Sequence, residues 1–374
     1  MTHFLRRVSA LLSLAAMLAG ARGAAAELIY VGTQASQVHA LRFDAEKGTI
    51  APLGKVAEGG APTWLLSHPR LPVLYAADNA KERDGKVITY AVDRATGALA
   101  GIGEAPAGGS GTTYLSLDAA AGTLFAANFG SGSASSIIVH PDGSLGAPVS
   151  TIRAIGSGPH RRQASAHAHS ITVDPSGRHV LVPDLGADRV FVYGFDAVTH
   201  ALVPDDAAMP RSFVAPPGSG PRHLAFGMDG SLVYVLNELS AEIMTLRWDA
   251  ARGRLAPVQA VPLASAGFQG AKSGAEIAVG GDGRFVYAAN RGEHALQVYR
   301  VDSATGKLVL AQRIPSGGEV PWGFALHPSG KWLVVANQGS GKVVLFSIDN
   351  ATGLLAATGQ SADVPAPVSI AFMR

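Results

Sequence analysis

The sequence predicts an all-β chain closed into a seven-bladed β-propeller, with four antiparallel strands per blade. Three observations carry that expectation. A unit of apolar strand, tight turn, second strand ending on a polar residue, loop and third strand recurs along the 374 residues. The two ends of the chain supply complementary parts of one such unit. No helix-period stretch follows the N-terminal segment.

The unit is clearest in "AHSITVDPSGRHVLVPDLGADRVFVYGFD", "AEIAVGGDGRFVYAANRGEHALQVYRVD" and "PWGFALHPSGKWLVVANQGSGKVVLFSID", which begin at Ala168, Ala275 and Pro321. Pro-Ser-Gly or Asp-Gly between runs rich in Val, Phe and Tyr reads as a hairpin. The third strand follows a loop. A weaker fourth strand follows a Thr-Gly turn, as at Thr96-Gly97, Thr305-Gly306 and Thr352-Gly353. The second strand ends at Thr33, Asp78, Asn128, Asp184, Asn237, Asn290 and Asn337 in turn. Four-stranded repeats of about 40–50 residues are the signature of propeller blades. Repetition has a physical cause: one blade cannot cover its own apolar faces, and stacked blades cover each other.

The first unit, "LIYVGTQ", lacks an inner strand of its own, and the last residues, "PVSIAFMR", are an inner strand with nothing after it. Pairing the strand at 368–373 with that at 28–31 completes the seventh blade and removes two open sheet edges. One domain, residues 27–374, is expected.

Residues 1–26 read as a secretory signal peptide: Arg6 and Arg7, an apolar run over 8–18, then Ala24 and Ala26 at the −3 and −1 positions of a cleavage site. The run is too short for a membrane span, and an uncleaved anchor is the alternative. No later stretch is long and apolar enough to cross a bilayer. A periplasmic or secreted location follows. With 45 Gly and only 16% charged residues, the chain is no helical bundle. A net charge of +2 without a Lys/Arg cluster does not suggest nucleic acid as a partner. Cysteine is absent, which excludes a thiolate nucleophile or thiolate metal site.

Hairpin connectivity puts the start of each inner strand and the end of each second strand on one face of the ring. At the first place stand Thr63, Thr113, His169, Arg222, Ala275 and Trp322. Just past the second strand stand Gln34, Asn79, Phe129, Leu185, Glu238, Arg291 and Gln338. The flanks repeat while these positions vary, which points to local chemistry. His169, Arg222, Glu238 and Arg291 come from three consecutive blades and should share one channel mouth. A His and a Glu serve as acid and base, and two Arg bind an anion or steady an oxyanion. A structural Arg222–Glu238 ion pair is the alternative. His223, Asn237, Asn290 and Trp322, beside these four, are expected to bind substrate. His167 and His169, with His160 nearby, are weak evidence for a metal without a carboxylate partner, so no metal or cofactor is expected. The loops at 156–166 and 264–274 should overhang the pocket. Arg153, His160, Arg161 and Arg162 read as a solvated basic loop, with added anion affinity as the alternative. His68, His140 and His327 read as parts of turns on the far face.

The pieces "AHSITVDPSGRHVLVPDLGADRVFVY", "GPRHLAFGMDGSLVYVLNE" and "FVYAANRG" resemble the lactonase seven-bladed β-propeller family over essentially the whole mature chain. That family includes a bacterial 6-phosphogluconolactonase and a fungal enzyme that cycloisomerises carboxymuconate. The resemblance implies a cofactor-independent site with its His at His169, its Arg at Arg222 and Arg291, and its Glu at Glu238. The expected activity is hydrolysis of a sugar lactone of the gluconolactone or 6-phosphogluconolactone type. Glu238 or His169, with Glu238 preferred, takes a proton from water. Export favours an unphosphorylated lactone. A lactonising cycloisomerase and a non-enzymatic binding propeller are the alternatives. The oligomeric state is not legible.

Overall fold

The second strand of each blade is buried on both faces, and this fixes the architecture. Val73–Asp78, Thr123–Asn128, His179–Asp184 and Phe285–Asn290 are buried at every residue. Alternate side chains then face opposite neighbours. In Trp332–Asn337, Leu333 and Val335 pack against the preceding blade, while Val334 and Ala336 pack against the following one. Seven apolar clusters result, each shared by two adjacent blades, and together they close the ring.

The computed structural model describes residues 27–79, 84–206 and 210–373. The expected signal peptide, residues 1–26, lies outside the described residues. Among those described there is no helix, and none long and apolar enough to cross a membrane. The strands form seven antiparallel sheets. Six have four strands, as expected: five in sequence order from channel to rim, and the sixth, which closes the ring, with the C-terminal strand innermost. There the C-terminal strand Pro367–Met373 lies innermost and pairs with Glu27–Thr33, from Leu28 opposite Met373 to Thr33 opposite Pro367.

One blade departs from the four-strand expectation. Its outer strand is split in two: Ala201–Val203 pairs with one end of Arg189–Asp196, and Phe213–Val214 with the other. The sheet therefore has five members. Its inner strand is reduced to Thr172–Val173, preceded by a lone bridge from Ala168 to Asp184. His169 lies in this irregular stretch.

Candidate active site

The starts of the inner strands are not regular sheet. The pairing register breaks between Pro62 and Trp64, Thr112 and Tyr114, Pro221 and His223, and Pro321 and Gly323. Each break leaves one residue without an opposite number: Thr63, Thr113, Arg222 and Trp322. A bulge of this kind re-aims a side chain, and all four line the channel. The mouth is a cup of about 610 Å³, lined among others by Arg162, His167, His169, Glu238, Arg291 and Trp322. Below it an inner chamber of about 60 Å³ is lined by His169, Arg222, His223 and Glu276. His169 and Trp322 line both.

Glu238 is the hub. Its Oε1 accepts from Arg162 and lies 3.0 Å from Arg291 Nη2, while its Oε2 accepts from Arg222 Nε at 3.1 Å. His169 Nε2 is 3.6 Å from the same Oε2. Burial alone would raise the Glu238 carboxyl. The charges of Arg291 and Arg222, helped by His169 and Arg162, outweigh burial and hold it well below the usual carboxylate range. Arg222 is brought down to about 10 by burial and by Arg291, so it stays cationic at neutral pH. Arg291 also donates to Gly274 O at 2.9 Å and lies 4.5 Å over the Trp322 ring, a cation–π contact.

His169 is neutral. Burial first, then Arg222 and His223, holds its imidazole well below 6.5, with Glu238 pulling the other way. Its Nδ1 is buried and meets no hydrogen-bond partner among the described residues. The carboxylate of Glu238 faces Nε2, so the unpartnered Nδ1 carries the lone pair.

The structure brings His169, Glu238 and Arg291 to the cup and Arg222 to the chamber just below it, bonded to Glu238, with Trp322 packed on Arg291. The other three expected substrate contacts are placed differently. Asn237 and Asn290 line neither chamber: the last side chain of the second strand turns into the space between blades. Asn290 donates to Leu263 O at 3.2 Å and to Glu293 at 2.8 Å, and Asn237 is fully buried. His223 reaches the inner chamber, but both its ring nitrogens are engaged, by Arg222 at 3.1 Å and by Glu276 at 2.8 Å.

Sequence reasoning missed two members. Arg162, read as part of a solvated loop, reaches Glu238 from the loop between two blades. The adjoining Gln163, fully buried, anchors it: Nε2 donates to Leu185 O at 2.8 Å and to Asp188 Oδ1 at 2.7 Å. Asp188 also accepts from Gly218 N and Gly220 N, at 2.7 and 2.8 Å. One carboxylate thus ties down both the loop that delivers Arg162 and the turn that delivers Arg222. Gly220 in that turn has φ +62, and a Cβ on it would meet the Leu239 side chain at 2.6 Å. Glu276 is the second omission. It lies one residue inside Ala275, the position the repeat had marked as apolar, and burial pushes its carboxyl up to about 8 against the pull of Arg222. The 264–274 loop contributes no residue to the cup or inner chamber, whereas the 156–166 loop does. His167 stacks on Phe129, with ring centroids 4.4 Å apart, and its Nδ1 donates to Phe129 O at 2.8 Å. Among turn histidines on the other face, His327 Nε2 bonds Glu27 at 2.9 Å, and His68 Nδ1 accepts from Leu71 N at 2.9 Å.

Ring and cup together define a propeller with a polar, solvent-open small-molecule site at one end of its channel. Comparison with known proteins narrows that class. A family model described as lactonase, 7-bladed beta-propeller, matches residues 28–372, and the chain belongs to that family. It is 31% identical over 349 residues to a 6-phosphogluconolactonase of Bacillus subtilis, covering 92% of this chain and 98% of that one. It is 29% identical over 299 residues to a 6-phosphogluconolactonase of Pectobacterium carotovorum, covering 80% and 84%. Among solved structures, the periplasmic gluconolactonase of Pseudomonas aeruginosa superposes with a TM-score of 0.85 at 33% identity, covering 93% of this chain and 99% of that one.

Proposed function

We propose that this chain is an exported lactonase that opens a sugar lactone, of the gluconolactone or 6-phosphogluconolactone type, to the aldonic acid. The observation that carries the proposal is the cup itself. A neutral imidazole with one unpartnered nitrogen stands beside guanidinium groups held by one ionised carboxylate. Arg222 and Arg291 receive the lactone carbonyl oxygen and stabilise the charge that builds on it. His169 takes a proton from water as its oxygen bonds to the carbonyl carbon. The ring C–O bond then breaks, and the same proton passes to the leaving ring oxygen. Glu238, tied to three guanidinium groups, is too weak a base for this step. It orients the cations and supports the imidazolium that forms, which reverses the preference drawn from sequence. Export rests on the basic, apolar and small-residue order of residues 1–26, and the Pseudomonas aeruginosa relative is itself named as periplasmic.

The surplus of cations favours one second reading. Three guanidinium groups meet a single carboxylate, which also suits a dicarboxylate lactonised by the same residues. An aldonolactone panel followed by acid release, with spontaneous hydrolysis subtracted, tests the first reading. Glu238→Gln and Arg222→Ala should each lower kcat/KM by a factor on the order of 10² or more. Near-wild-type rates in both variants would sink the site assignment. Lactone formed from a muconate, with sugar lactones untouched, would establish the second reading.

A further inference from the structure

The family likeness accounts for four side chains, yet the structure holds a longer chain of contacts beneath them. Glu276 Oε1 lies 2.8 Å from His223 Nδ1, His223 Nε2 lies 3.1 Å from Arg222 Nη1, and Arg222 Nε lies 3.1 Å from Glu238 Oε2. A carboxylate, an imidazole, a guanidinium and a second carboxylate are linked in line, all of them buried. The His223 ring plane is set by edge contacts with Tyr114, His169 and Trp64, at centroid separations of 5.0, 5.2 and 5.5 Å.

The direction of each hydrogen bond follows from the donor inventory. A guanidinium only donates, so Nε2 of His223 must accept from Arg222. The ring proton is therefore on Nδ1, and it is donated to Glu276 Oε1. That oxygen also accepts the Ile277 N–H at 3.1 Å. The tautomer of His223 is thus chosen by its carboxylate partner, as a second-layer carboxylate chooses it for histidines in other sites.

We infer that Glu276 and His223 are positioning residues that hold the Arg222 guanidinium at the angle from which it meets both Glu238 and the substrate carbonyl. The inference rests on the lactonase reading given above. Without the Glu276 acceptor, the Nδ1 proton would be left unpaired in a buried site, and the ring could relieve it only by turning or by moving the proton to Nε2. Either change takes the Nε2 lone pair away from Arg222 N–H, and the guanidinium would lose its seat. A misplaced oxyanion group costs on the order of 10- to 100-fold in rate. Burial already pushes the Glu276 carboxyl towards its neutral form, so an amide in its place preserves the acceptor.

The experiment measures glucono-1,5-lactone hydrolysis by Glu276→Ala, Glu276→Gln, His223→Phe and the Glu276→Ala/His223→Phe double variant, alongside thermal melts. Selective 15N labelling of histidine, with His223 assigned from His223→Phe, reports the tautomer. In Glu276→Ala and His223→Phe, kcat should fall about 10-fold or more with KM changed by less than about threefold. The double variant should be no worse than either single one, because the two act as a unit. Glu276→Gln should keep most of the activity. Wild type and Glu276→Gln should carry the proton on Nδ1 as a single form, and Glu276→Ala should lose that single form. Wild-type kcat in Glu276→Ala, or equal losses in Glu276→Gln and Glu276→Ala at matched melting temperature, would overturn the inference. Should Glu276→Ala fail to fold, Glu276→Gln and His223→Phe still decide it. Should wild type hydrolyse no lactone, the lactonase reading fails, while an Nε2 proton on His223 in wild type would separately refute the positioning chain.

Discussion

At the scale of single residues, the cup assigns different work to groups that look alike. Arg222 and Arg291 are 3% and 8% exposed in their side chains, whereas Arg162, on the same carboxylate, is 42% exposed. An ion pair open to solvent contributes little, so Arg162→Ala should cost no more than about tenfold in kcat/KM, against on the order of 10² for Arg222→Ala. A steady-state comparison of the two variants checks this, and equal losses would contradict the depth argument. The protonation states set the pH profile. His169 must be neutral to accept a proton, and burial with Arg222 and His223 already holds it well below 6.5 against the pull of Glu238. Falling pH therefore removes no active base until it passes that lowered value. The expected kcat/KM is level within about twofold from pH 8 to 6.5. A half-loss centred at 6.5, where an ordinary imidazole titrates, would mean that His169 is not the base or is not shielded as described.

At the scale of elements, the bulges and the loop ties explain what the sequence could and could not reveal. The polar ends of the second strands were legible because five of the seven do the same scaffold task, bonding the backbone of a segment ahead of them in the chain: Asp78 accepts Ala61 N, Asp184 accepts His167 N, and Asn128, Asn290 and Asn337 donate to Ala107 O, Leu263 O and Ser316 O. His169, Arg222, Glu238 and Arg291 were legible because they break a repeat at positions whose face the hairpin fixes. Arg162 was not, because it arrives from a loop that follows no period, and its direction depends on Gln163 and Asp188 far along the chain. Glu276 was hidden by the bulge, which shifts the inward position by one residue. The tie at Asp188 makes a prediction of its own. Asp188→Ala removes acceptors for Gln163, Gly218 and Gly220 together, leaving buried donors unpaired at a cost of about 2–4 kcal/mol. Both Arg-bearing loops should loosen, so a lowered melting temperature should accompany a raised KM. An unchanged melt would show that these hydrogen bonds are replaceable.

At the scale of the whole molecule, the ring is closed by pairing rather than by chain continuity. Pro367–Met373 is the innermost strand of a blade whose other three strands come from the N-terminal end. Ile370 packs into the cluster shared with the preceding blade, and Ala371 and Met373 into the cluster shared with the following one. Ser369 Oγ accepts Leu65 N at 2.9 Å, across to the next inner strand. Removing 367–374 would therefore open two apolar interfaces and bare the edge of Glu27–Thr33, an invitation to aggregate. The truncated chain should lose its cooperative melt or precipitate, whereas Ile370→Ala should cost only about 2–5 kcal/mol of stability, as other buried Ile truncations do. Continuity itself should be dispensable. A permuted chain with a flexible linker from the C-terminus to Glu27, and new ends at the outer Thr352-Gly353 turn, keeps every strand pair and every shared cluster. It should melt within a few degrees of the parent and retain lactone hydrolysis, since His169, Arg222, Glu238 and Arg291 lie in blades that the cut does not enter. Loss of folding in the permuted chain alone would show that closure depends on the order of the strands in sequence and not only on their contacts.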